Sequence, residues 1–230
     1  MYVVVGWLDE FLWGALVVLQ IFMVGMTMAV IWGLLGAAAK LSKIPVFSVL
    51  ASVYTTVFRA VPELLVLLIF YFGSAITLTA IAKLINPDIQ FVDIPPFWAG
   101  SFAISLIIGA YAAETFRGAF QGVDPGQIKA ARSLGMSATH TFFYVRLPQM
   151  WRLALPGFGN HMLSMMKDTA LISVIGVEEI LYTAEIATSI TMQPFTMYMV
   201  VAIIYLVFTT VIMAIIQVLE KTANRHLESV

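Results

Sequence analysis

The chain has 230 residues, of which 61% are hydrophobic and 11% are charged, and its mean hydropathy is +0.95. This balance excludes an ordinary soluble domain and places the chain among membrane proteins. A net charge of −1 argues against a nucleic-acid surface, and the lack of cysteine removes disulfides and thiolate metal sites. The acidic amino terminus has no basic n-region, so we expect no cleaved signal peptide and a retained first helix.

The apolar sequence divides into about five spans, each judged against the roughly 20 apolar residues that cross a bilayer. In order, they cover residues 11–39, 45–82, 97–120, a stretch from 153 that fades into the acidic segment 178–185, and 195–219. The second is too long for one straight perpendicular helix, so we expect it to be tilted or broken at Pro62. Residues 86–96 are rich in turn formers and indicate an exposed loop. The sequence therefore predicts an all-α polytopic membrane protein.

Basic residues cluster between spans one and two, between spans three and four, and after span five. These residues are Lys40, Lys43, Arg117, Lys129, Arg132, Arg146, Arg152, Lys221 and Arg225. The opposite side carries one base, Lys83, and the acids Asp9, Glu10, Asp88, Asp93, Glu178, Glu179 and Glu185. The positive-inside rule then predicts the amino terminus outside, the carboxyl terminus inside and a cytosolic loop at about 121–152. Since no other soluble region is visible, residues 1–230 are predicted to form a single transmembrane domain.

The cytosolic loop contains the most polar and basic block of the sequence, DPGQIKAARSLGMSATHTFFYVRLPQMWRLALP, residues 124–156. Asp124 can cap a helix that begins at Pro125, and Gln127 stands at the capping-box position three residues later. Gly135 is well placed as the residue that ends this helix. The pattern predicts a short helix with defined ends.

A second short helix is expected after that glycine, capped by Ser137 and stopped by Pro148. On the first helix, one face repeats at helical spacing through Ile128, Ala131 and Leu134. Two short helices joined at a glycine, with small alanines on the first, favour a knob that another protein can approach closely.

Ionisable residues inside a span are expensive and therefore count as functional candidates, with structural pairing as the alternative. From Pro156, Lys167 lies about 11 residues into the fourth span, roughly 17 Å along a helix and close to the middle of a core about 30 Å thick. Asn160 and Lys167 are seven residues apart, as are His161 and Asp168, which makes two polar stripes on adjoining faces. These stripes could hold a zwitterion, or their charges could pair with other helices.

Two more pairs of charges lie in or near the spans. Arg59 and Glu63 are four residues apart across Pro62, and a helix there would let them pair, which is the favoured role for Arg59. Glu63, just after the proline, could instead line a cavity and attract a cation. Glu114 and Arg117 are expected to form a local ion pair near the cytosolic end of span three.

Enzyme chemistry finds little support, since the sequence has no glycine-rich phosphate loop, no HExxH and no recognisable nucleophile elbow. We therefore expect no enzymatic activity in this chain. No filter motif that would indicate a selective channel is visible either. A transporter driven by a soluble partner is favoured by the cytosolic knob, and the alternative is a membrane scaffold or passive channel subunit.

The block QIKAARSLG, followed by LPQMWRLALPGFGN, resembles the coupling loop of bacterial ABC importer permeases. FRAVPELLVLLIFYFG, GAYAAETFRGAFQGV and KDTALISVIGVEEI resemble further signatures of the polar amino-acid importers. The acidic residue after Pro62, together with IYLVFTTV, is similar to the Q-type subunit of the histidine, basic-amino-acid and opine systems. The resemblance covers nearly the whole chain, with one departure: Lys129 stands where the family has an acid.

The resemblance implies a five-helix type I importer domain in the bacterial inner membrane. It also implies partners: a homologous permease subunit, two ATPase subunits that bind ATP and Mg²⁺, and a periplasmic or extracellular solute-binding protein. No cofactor is expected in this chain. The cargo would be an amino acid or a derivative of one, held by this subunit or by its partner permease.

The same resemblance assigns candidate residues to two roles. The substrate-binding candidates are Asn160, His161, Lys167, Asp168, Thr169 and Glu63. The ATPase-coupling candidates are Gln127, Lys129, Ala130, Ala131, Leu134 and Gly135.

Overall fold

The computed structural model describes residues 2–224, and Arg225, one of the bases used for orientation, lies outside them. Within that range the chain is helical. The helices are α1 (Tyr2–Val5), α2 (Leu8–Lys40), α3 (Pro45–Ala60), α4 (Glu63–Ile85), α5 (Pro96–Gly122), α6 (Pro125–Ser133), α7 (Ala138–Thr141), α8 (Leu147–Asp168), α9 (Ile180–Thr191) and α10 (Pro194–Asn224). A π-helical turn, Phe142–Arg146, precedes α8, and a 3₁₀ helix, Thr169–Ile175, follows it.

Among the described residues, four helices are long and apolar enough to cross a membrane: α2, α4, α5 and α10. They correspond to the predicted first span, the second half of the second, the third and the fifth. The predicted fourth span is mostly α8, which is not among the four because its polar side chains interrupt the apolar sequence. The predicted orientation of the chain stays a prediction.

The predicted second span is broken at the proline. Helix α3 ends at Ala60, Val61 and Pro62 are extended with ψ of 137° and 135°, and α4 begins at Glu63. The break arises because the ring of a proline disfavours helical backbone in the residue before it. Helix α3 is shorter than the four long helices, and its exposed groove is lined by serine, threonine and valine.

The core lies around α5, which packs against α2, α8, α4 and α3. Small residues bring the axes of α2 and α5 close together. A Cβ atom added at Gly33 would lie 2.8 Å from the Cβ of Ala112, and one added at Gly36 would lie 2.8 Å from that of Ala113. Close backbone approach through small side chains is the usual way in which helices associate where lipid replaces water.

Pro148 does not stop the second short helix of the cytosolic loop, contrary to the prediction. Helix α7 passes into the π-helical turn and then into α8, where Pro148 is the second residue. The π-helical turn directly before α8 interrupts the regular hydrogen-bond pattern, which a proline cannot join for lack of an amide proton.

Candidate functional site

The polar stripes predicted on α8 lie on that helix, and the two stripes differ in their exposure to solvent. Asn160 and Lys167 are exposed, whereas His161 and Asp168 are half-buried. The Nε2 atom of His161 lies 2.8 Å from Thr115 Oγ1 on α5. The stripe of His161 and Asp168 is therefore the one that faces the interior of the bundle.

Arg59 and Glu63 do not pair with each other: within the described range the ion pairs are Lys40–Glu114 and Glu114–Arg117. The helix that would have brought them together is broken at Pro62. The guanidinium of Arg59 instead lies over the ring of Tyr111, 5.4 Å from its centroid, where a cation is attracted to the ring face.

Charged side chains from neighbouring helices lie near both His161 and Asp168 of α8. Tyr111 also packs near the His161 ring, with centroids 5.9 Å apart, and Arg59 is close enough to act electrostatically on His161. Glu63, in the first turn of α4, acts electrostatically on Asp168, as does the neighbouring cation of Lys167. We refer to Arg59, His161, Glu63 and Asp168 as the polar cluster. One end of it holds a guanidinium and an imidazole, and the other holds two carboxyl groups.

Thr169 differs from the other substrate-binding candidates because it is fully buried. Its hydroxyl donates to the carbonyl of Met166 at 2.7 Å and lies 3.3 Å from the hydroxyl of Tyr205 on α10. In this structure Thr169 therefore contacts protein on every side and does not line an open surface.

The predicted coupling helix, α6, has the expected ends. Asp124 caps it by accepting from the amide of Gly126 at 2.7 Å. At the other end Gly135 has φ of 85°, its amide donates to Arg132, and the amide of Met136 donates to Ala131. This pair of hydrogen bonds is a Schellman motif, which favours glycine because its first residue outside the helix is left-handed.

Two details of α6 differ from the prediction. Gln127 does not complete a capping box: its Oε1 accepts from Gln149 Nε2 at 2.7 Å, so it ties α6 to α8. Leu134 does not share the buried face, since it is 85% exposed while Ala131 is buried. It turns outward because it is the residue at which the helix ends. Lys129, Ala130 and Gly135 are also exposed.

The local pair Glu114–Arg117 is present at 2.9 Å, as predicted, and a third member was missed. Lys40, at the end of α2, also contacts Glu114 and donates to Thr55 Oγ1 at 2.8 Å. Glu179, which the sequence placed among the acids on the outer side, is fully buried. The contacts of Lys40 with Glu114 and Thr55 have no local sequence signal, because these partners are far from Lys40 along the chain.

Long apolar helices packed around a cluster of charged and titratable side chains define a multi-pass membrane protein of the transport class. The sequence also identifies the family to which the chain belongs. Residues 29–225 match the family described as binding-protein-dependent transport system inner membrane component, and the chain belongs to that family.

Curated relatives are similar over most of the chain. It is 39% identical to the histidine/lysine/arginine/ornithine transport system permease protein HisQ of Salmonella typhimurium, covering 94% of each chain. It is 41% identical to the nopaline transport system permease protein NocQ of Agrobacterium fabrum, covering 97% of this chain and 95% of that one. With the arginine ABC transporter permease protein ArtQ of Escherichia coli the identity is 42%, over 76% of this chain and 78% of the relative.

Solved structures agree with this assignment. An amino acid ABC transporter crystallised with histidines has a TM-score of 0.80 and 34% identity, and the match covers 95% of this chain and 96% of that one. The inward-facing MetNI methionine ABC transporter has a TM-score of 0.69 at 14% identity, covering 94% and 97%, which supports the fold alone. The all-α importer domain expected from the sequence is therefore confirmed.

Proposed function

We propose that this chain is the transmembrane permease subunit of an ATP-driven importer whose cargo is a basic amino acid, histidine or an opine. The observation that carries the cargo class is the polar cluster, with Arg59 near His161 at one end and Glu63 near Asp168 at the other. His161 and Asp168 are seven residues apart on α8, which corresponds to roughly 10 Å along the helix. An extended basic amino acid carries its carboxylate and its side-chain cation at opposite ends, and this order of charges is complementary to it.

The remaining parts of the importer are partners of this chain. A homologous permease subunit would complete the membrane domain, two ATPase subunits would bind ATP and Mg²⁺, and a periplasmic or extracellular solute-binding protein would deliver cargo. No cofactor is proposed in this chain itself. The relatives named above and the inner-membrane character of the family support a bacterial inner-membrane location.

The exposed residues of α6 and the turn after it would form the surface that docks on the ATPase. They are Gln127, Lys129, Ala130, Leu134 and Gly135, with Ala131 buried behind them. Nucleotide binding would shift an equilibrium between two access states, and the loop would link that equilibrium to the helices that surround the polar cluster.

Binding of arginine, histidine, nopaline and octopine to the assembled complex tests the cargo site. Asp168→Ala and Arg59→Ala, one change at each end of the polar cluster, should each weaken binding of the preferred compound at least about tenfold, the loss expected for one charged hydrogen bond. Asp88→Ala and Lys83→Ala are matched controls, because both side chains are exposed and belong to the loop after α4 or to its last turn.

Unchanged affinity in both the Asp168 and the Arg59 variant would remove the polar cluster as the cargo site. The alternative, a scaffold or passive channel subunit, makes a different prediction. Solute flux through the purified chain would then persist without ATP and without an ATPase partner.

A further inference from the structure

We propose that Tyr205 on α10 is a positioning residue that holds Asp168 in its cargo-binding place by bridging both ends of the segment that follows α8. The inference rests on the proposed function and adds to it a mechanical link between α10 and the cargo site. We call residues 169–179 the hinge segment: it contains the 3₁₀ helix Thr169–Ile175, the left-handed Gly176 and the cap of α9.

The hydroxyl of Tyr205 contacts the first and the last residue of the hinge segment. It donates to Glu179 Oε2 at 3.2 Å, and its oxygen lies 3.3 Å from Thr169 Oγ1, whose proton it can share with the carbonyl of Met166. Both partners are fully buried. One side chain of α10 therefore closes the hinge segment into a loop.

The last residue of the hinge segment, Glu179, is held in place by several contacts. The Oε1 atom of Glu179 accepts from the amide of Tyr182 at 2.9 Å, which caps α9. The backbone of Glu179 also packs against α2, since a Cβ atom added at Gly14 would lie 2.9 Å from its carbonyl carbon. A buried carboxylate that loses a hydrogen-bond donor is costly, so these contacts are expected to be kept.

The first end of the hinge segment, at Thr169, is less constrained by its own backbone. A 3₁₀ helix rarely runs beyond three or four residues because its hydrogen bonds are poorly aligned, and the one here has seven. Thr169 directly follows Lys167 and Asp168, so a change in its position moves both of these side chains. The Tyr205 bridge supplies the outside contact that fixes this end to α10.

Hydrogen exchange of the backbone amides tests the bridge without any cargo. Tyr205→Phe removes only the hydroxyl and should speed exchange in residues 169–179 roughly fivefold, as expected for the loss of one hydrogen bond. Tyr198→Phe is the matched control, because Tyr198 lies on the same helix and is 43% exposed. Exchange in the Tyr205 variant that equals the control would overturn the proposal.

Arginine and nopaline binding to the assembled complex tests the positioning role. Tyr205→Phe should weaken binding about three- to tenfold, and it should also lower the melting temperature, because the buried Glu179 carboxylate loses a donor. Glu179→Gln, which keeps an acceptor oxygen, should lie between this variant and wild type, with the exposed neighbour Glu178→Gln as its control. A lower melting temperature with unchanged affinity would mean a purely structural role and would contradict the inference.

The two arms separate this inference from the proposed function. A wild-type complex that binds none of arginine, histidine, nopaline and octopine would contradict the cargo class, while the exchange measurement would still decide whether Tyr205 holds the hinge segment.

Discussion

At the scale of single residues, Glu114 shows how charges are kept within an apolar bundle. Its two oxygens face two cations, Lys40 from the end of α2 and Arg117 one turn further along α5. Lys40 also donates to the buried hydroxyl of Thr55 on α3. The cluster around this carboxylate therefore joins three helices, α2, α3 and α5. The three-residue spacing of Glu114 and Arg117 predicted only the local pair within α5.

Replacing Glu114 by alanine should lower the free energy of unfolding by about 3 kcal/mol, because removing one partner strands the remaining charges in a mostly buried place. The melting temperature of the purified chain in detergent would fall accordingly. Glu185→Ala is the control, since Glu185 is exposed on α9. Equal melting temperatures for the two variants would show that the three-helix cluster does not contribute to stability.

At the scale of elements, the cytosolic loop shows which helix boundaries the sequence encodes. Asp124, Ser137 and Gly135 act as predicted, because caps depend on the residues next to them. The outward position of Leu134 and the bond from Gln149 to Gln127 depend on how α6 packs against α8, so local patterns missed them. The result is a small exposed surface at the capped carboxyl end of α6.

Leu134→Asp should reduce cargo uptake by at least tenfold if this surface docks on the ATPase, because a docked aspartate would lose its hydration without gaining a partner. The fold should survive, since the side chain is 85% exposed. Ile85→Asp, at the last residue of α4 and 83% exposed, supplies the same change away from the cytosolic loop. Uptake by reconstituted complexes checks the pair, and equal rates would exclude Leu134 from the coupling surface.

At the scale of the whole molecule, apolar length and a single proline predicted most of the fold. Helices α2 and α10 follow long apolar runs, α5 follows one that ends at Glu114, and the α3–α4 break follows from Pro62. The partners of Arg59 and of Thr169 could not be predicted, because Tyr111 and Tyr205 lie in other helices. The sequence thus identified α8 as the polar helix, and only packing shows which side chains meet its residues.

Energy coupling is the central claim, and it is tested most directly by arginine uptake into liposomes that contain the assembled permease and ATPase subunits. With the solute-binding protein outside, uptake should require Mg²⁺ and ATP on the ATPase side and should concentrate arginine above its outside level. Uptake that proceeds equally without ATP and stops at equal concentrations would contradict the account and favour a passive channel.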